Sequence, residues 1–98
     1  MKARHALVTA VMACAGVIQA VAAEEAPPGA ASCTGCHAAS VNVDTSVPRL
    51  AGQDASALVS AMQAFRGGQR PATVMDRIAK GFSDDEIKAI AAWFATQR

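Results

Sequence analysis

Cys33-Thr34-Gly35-Cys36-His37 places two thiols three residues apart and an imidazole directly after the second. On an opening helical turn, positions three apart share a face. Both sulfurs can then reach one edge of a flat ligand while the next side chain projects over its centre. This C-x-x-C-H spacing is the attachment pattern of c-type haem. Cys33 and Cys36 form thioether bonds to the vinyl groups, and His37 places a nitrogen against the iron. Competing readings fit less well. A redox dithiol wants a βαβ context, and no strand-like alternation surrounds the motif. A structural zinc site wants four ligands. A Cys33–Cys36 disulfide would close a very short loop and stabilise little.

The N-terminal residues support that reading from another direction. Lys2, Arg4 and His5 make a basic start, and Ala6 to Val21 form an apolar stretch interrupted only by Thr9 and Gln19. Small residues close it, so 1–23 reads as a secretory signal peptide cut after Ala22 or Ala23. The run is short for a membrane span, which needs about 20 apolar residues. Val11-Met12-Ala13-Cys14 loosely resembles a lipoprotein signal, but Met12 and the lack of a leading Leu make it a poor match. Three cysteines are an odd number for an exported chain. Cleavage removes Cys14 and leaves the pair that haem consumes. It also removes His5, so His37 becomes the only histidine. The expected location is the periplasm, because c-type haem is attached outside the cytoplasm.

Cleavage leaves about 75 residues, one small domain. Cores of this size are marginal and usually need a staple, which a covalent haem supplies. Loss of Lys2 and Arg4 leaves seven basic residues against eight acidic ones. No basic patch argues for nucleic acid, and no later segment is apolar enough to span a membrane.

The pattern after the signal is helical. Residues 24–29, with Pro27 and Pro28, read as a flexible lead-in to a domain at 30–98. A short first helix begins near Gly29 and carries the haem motif. A loop follows through Pro48 to Gly52. The second helix runs from the N-cap Asp54 to Arg66, with Leu58, Met62 and Phe65 on one face. Gly67-Gly68 stops it. Pro71 suits the first turn of a short helical segment ending near Lys80-Gly81. The last helix starts with a Ser83/Glu86 capping box, buries Ile87, Ile90, Ala91 and Phe94, and runs to Arg98. The expected fold is all-α. Asp84, Asp85 and Glu86 read as a solvated helix start rather than a catalytic carboxylate pair, and no catalytic constellation is evident.

With one histidine after cleavage, a second axial ligand must be another residue type. A Met thioether is the usual choice and raises the reduction potential. Met62 lies at helical spacing among apolar residues, which suits core packing. Met75 follows two glycines and a proline, in a segment able to fold over the far haem face. Met75 is therefore the expected sixth ligand. Lys80 and Lys88 are poorer candidates, since a protonated amine cannot bind iron. If Met75 were displaceable, the chain would be a haem sensor or ligand binder.

Cys33 to His37, Pro48-Arg49-Leu50-Ala51-Gly52-Gln53 and the ending Ile87-Lys88-Ala89-Ile90-Ala91-Ala92-Trp93-Phe94 together resemble the class I cytochromes c of the c4, c5 and c553 group. Phe65-Arg66-Gly67-Gly68 and the run from Ala72 to Ser83 are similar to the axial-Met region of the cytochrome subunit of flavocytochrome c sulfide dehydrogenase. The resemblance covers about residues 30–98. Ala38 stands where many relatives carry Gly, and the chain has one C-x-x-C-H where some flavocytochrome subunits hold two haems.

The resemblance implies a class I cytochrome c fold, three to four helices around one covalently attached haem c. It implies that the Pro48 carbonyl accepts the His37 ring N–H and that Trp93 and Phe94 pack near the haem and the first helix. It also implies an electron-transfer subunit without catalytic chemistry of its own. The donor would be an FAD-containing flavoprotein that oxidises sulfide, and the acceptor another redox protein such as a cytochrome. A free-standing soluble carrier, or the cytochrome subunit of a sulfite dehydrogenase, suits the same features.

Overall fold

A computed structural model describes residues 16–17 and 24–98. The expected signal peptide, Cys14 included, lies outside the described residues except for Gly16 and Val17. Four helices follow in order: α1 Ala30–Thr34, α2 Ala55–Arg66, α3 Met75–Ala79 and α4 Asp84–Thr96. No strand occurs among the described residues, so the fold is all-α, as the class I cytochrome c arrangement requires.

The core joins α1, α2 and α4 through Ala30, Leu58, Ile90, Ala91 and Phe94. Small residues let the first and last helices approach closely, since Ala30 is fully buried and Ala91 nearly so. Gly29 permits the entry. It sits at φ 90, and a Cβ there would come within 2.8 Å of the Phe82 ring and 3.3 Å of Ile90 Cδ1. Any other residue would meet both a backbone penalty and a clash. The lead-in before it is tied down at one point, where the Trp93 indole N–H donates to Glu24 O at 3.2 Å.

α2 begins and ends as its sequence demands. The Asp54 carboxylate accepts from Ala57 N at 3.0 Å. Hydrogen bonds from the Ser56 hydroxyl, first, and from the Ala57 N–H hold this carboxyl below its ordinary range. At the other end Gly68 takes φ 77. The Gln69 N–H then reaches back to Ala64 O and the Gly68 N–H to Phe65 O, the paired bonds of a Schellman cap.

α3 differs from expectation. It starts at Met75 rather than near Pro71, with residues 71–74 running irregularly before it. Pro71 and its neighbours instead cross the wall of the central cavity, and Val74 O accepts the first helical bonds, from Arg77 N and Ile78 N. Fully buried Ala79 anchors the short helix.

α4 carries the capping box in full: Ser83 Oγ accepts from Glu86 N at 3.2 Å and Glu86 Oε2 accepts from Ser83 N at 2.7 Å. Ser83→Ala is expected to lower stability by about 1 kcal/mol, measurable by denaturant unfolding; an unchanged midpoint would show that the cap contributes nothing. The helix stops at Thr96, not Arg98. Trp93 O takes bonds from the Thr96 hydroxyl at 2.7 Å and the Gln97 amide at 3.1 Å, and such side-chain bonds compete with helical continuation. Gln97 is accordingly extended.

Candidate haem-attachment site

α1 is only five residues long, but the chain keeps turning beyond it. The Cys36 N–H and the His37 N–H both donate to Cys33 O, at 3.2 and 2.8 Å. This turn gathers the two thiols and the imidazole. Cys33 is half-buried and Cys36 exposed, and the two are not joined in a disulfide. Burial pushes the Cys33 thiol above its ordinary pKa.

The loop after α1 supplies the ring's partner. His37 Nδ1 lies 2.5 Å from Pro48 O. A carbonyl oxygen only accepts, so Nδ1 carries a proton, and the tautomer this bond selects has its lone pair on Nε2. Such a bond fixes ring orientation and raises ligand basicity. Pro48 is held in place two ways. Ala51 is buried, and the Gly52 N–H donates to Phe94 O at 2.9 Å, stitching the loop to α4. A fixed proline carbonyl is thereby set against the histidine.

These groups border one cavity of ≈ 580 Å³, within the roughly 300–1,000 Å³ typical of small-molecule and cofactor sites. Cys33, Cys36 and His37 lie on its wall, as do Met75 and fully buried Phe94. Exposed Val74 and Ile78 line it too, so their apolar surface belongs to the cavity wall. A wall that is mostly apolar, with two thiols, one imidazole and thioethers on it, matches the needs of a covalently held haem.

Three placements go beyond or against the sequence expectations. Met62, expected as core, also lines this cavity together with Leu58 and Phe65, because the apolar face of α2 looks into the site. Both methionines therefore border the space that one of them was expected to enter. Arg70 is the one cationic side chain among the described residues on that wall, its guanidinium 4.7 Å from the Phe65 ring centroid. Its position after two glycines carried no sequence signal of this role. The aromatic pair at the end of α4 divides its work. Phe94 faces the cavity, while Trp93, edge-on to it at 4.8 Å, faces the lead-in and Pro27.

No family model matches the chain. Among curated proteins it is 38% identical over 63 residues to the cytochrome subunit of sulfide dehydrogenase from Chlorobaculum tepidum, covering 64% of this chain and 57% of that protein. It is 43% identical over 67 residues to the thiosulfate dehydrogenase electron acceptor of Stutzerimonas stutzeri, covering 64% of this chain but 31% of that protein. It is 37% identical over 70 residues to cytochrome c-554(548) of Halomonas halodenitrificans, covering 67% of this chain and 84% of that protein. The chain thus spans little more than half of the first of these relatives and about a third of the second. The third is matched along most of its length, and its likeness agrees with the helical fold and the cavity. The chain belongs to the class I c-type cytochromes.

Proposed function

We propose that this chain is a single-haem, exported electron-transfer protein that accepts electrons from an FAD-containing sulfide dehydrogenase flavoprotein and passes them to another cytochrome. The convergence of Cys33, Cys36, His37 and Met75 on one cavity carries the haem part of the reading. Cys33 and Cys36 would hold the group covalently, each thiol being suited to adding across a vinyl double bond without an oxidant. His37, through its Nε2 lone pair, and Met75, through its thioether, would be the residues that hold the iron, with Pro48 O orienting the imidazole. Arg70, on the cavity wall, would offer its guanidinium to a carboxylate of the bound group. Bound there, haem c supplies a one-electron Fe(III)/Fe(II) couple, which Met ligation sets at a raised potential. The apolar wall of Leu58, Phe65 and Phe94 keeps water from the ring.

The donor assignment is supported by the identity to the Chlorobaculum tepidum cytochrome subunit. A periplasmic location is supported by the signal-like pattern of 1–23 and by the site of c-type haem attachment. Among the described residues no helix is long and apolar enough to cross a membrane. A second reading, a free-standing carrier, is favoured by the match along most of cytochrome c-554(548).

Gentle native purification from the periplasm separates the two. Haem and flavin are expected to elute together, with haem reduced on adding sulfide at a rate that depends on the flavin-containing fraction. Haem eluting alone, and reduced no faster when fractions are recombined, would favour the free carrier.

A further inference from the structure

Arg66 ends α2, and its guanidinium reaches across to the start of α4. Nη1 donates to Phe82 O at 3.2 Å, and Nη2 pairs with the Asp84 carboxylate. The Arg66 hydrogen bond, then its charge, hold the Asp84 carboxyl below its ordinary range. The two ends that this side chain joins bound residues 67–83, the segment that carries Met75.

That segment has little internal means of holding its shape. It opens with two glycines, runs irregularly to Val74, and contains only the five-residue α3. A helix of that length does not persist by itself. Buried Ala79 anchors its middle, while its ends depend on the helices they leave and enter. A cation bonded at once to the backbone and to a carboxylate closes the base of the loop, and loop closure limits local opening. Exposed ion pairs alone contribute little, and the Asp84 side chain is 58% exposed, but Arg66 is only 32% exposed and its fork also bonds the Phe82 carbonyl.

We infer that Arg66 is a clasp on the Met75 segment, a positioning residue that governs how readily the Met75 thioether leaves the iron. The clasp acts on the bonds of this chain and touches neither haem nor donor. The inference rests on the reading of Met75 as axial ligand. It predicts that breaking the clasp opens the sixth position to an outside ligand without unfolding the domain.

The experiment is imidazole titration of the oxidised holoprotein, followed in the visible spectrum, for wild type, Arg66→Ala, Arg66→Lys, Asp84→Asn and Met75→Ala. Helix content and denaturant midpoint are recorded alongside. Arg66→Ala is expected to raise apparent imidazole affinity about three- to tenfold, the scale of one ion pair plus one charged hydrogen bond. Asp84→Asn should raise it less. An Arg66→Ala/Asp84→Asn double variant, added to the set, should fall short of the product of the singles, because both act on one contact. Arg66→Lys should raise affinity less than Arg66→Ala, since lysine keeps the charge but lacks the fork. Unchanged affinity in Arg66→Ala and Asp84→Asn, with a lowered midpoint, would reduce the clasp to a structural bond and overturn the inference. Should Arg66→Ala fail to fold, Arg66→Lys and Asp84→Asn decide in the same way. Met75→Ala separates the two layers. Tight imidazole binding there upholds the axial reading whatever Arg66 does, whereas affinity equal to wild type removes it and the clasp inference together.

Discussion

Met75→Ala is expected to lower the reduction potential by an amount on the order of 0.1–0.3 V, within the roughly 0.8 V that axial ligation spans. With Met75 as the proposed ligand, its thioether would stabilise reduced iron, and a replacement such as water would favour the oxidised state. The thioether-to-iron charge-transfer band of the oxidised protein should vanish in the same variant. Met62→Leu is the necessary control, because both methionines border the cavity. Leucine keeps Met62's volume and apolar character, so potential and band should stay close to wild type. The reverse pattern, with Met62→Leu losing the band and Met75→Ala keeping it, would transfer the ligand role from α3 to α2. Redox titration and the visible spectrum of the two purified variants settle the choice.

Phe94→Ala should cost about 3–5 kcal/mol of stability, the range for deleting a buried aromatic side chain. Phe94 is the largest fully buried side chain among the described residues. It sits where α1, α2 and α4 meet, against Trp93 and on the wall of the cavity. Its loss would create a void at the junction of core and cofactor, and a domain of this size commonly has only about 5–15 kcal/mol in total. Phe94→Leu fills much of that void and should cost less. Denaturant unfolding of the holoprotein checks both. A shift below 1 kcal/mol for Phe94→Ala would mean that the haem, rather than this side chain, holds the helices together.

Local pattern was enough where a short stretch of chain contains the whole interaction. Asp54, the Gly67-Gly68 stop and the Ser83/Glu86 box all appear as expected, because caps and stops involve residues within a few positions of one another. The C-x-x-C-H run made the candidate site visible for the same reason. The Pro48 carbonyl beside His37 came through family resemblance, and it is present. It could not come from composition, since the pair stands eleven positions apart in the chain.

Boundaries moved where distant groups competed with local preference. α3 begins at Met75 because residues 71–74 are occupied in crossing the cavity wall. Met62 reads as core by periodicity, yet in a haem protein the core and the site are one space, so an apolar helix face cannot distinguish them. Arg66 shows the same limit for charge. In sequence it is a cation completing a helix C-terminus, and its bonds to Phe82 O and Asp84 lie across sixteen and eighteen residues.

The sequence by itself determined the helical class, the caps, the candidate haem-bearing motif and the apolar stripes, since each rests on spacing along a few turns of chain. Only the tertiary structure decided that Met62 lines the cavity beside Met75, and which cation bridges the end of α2 to the start of α4. Those contacts follow from how α2 and α4 pack across the core, and that packing is a property of the whole domain rather than of any segment.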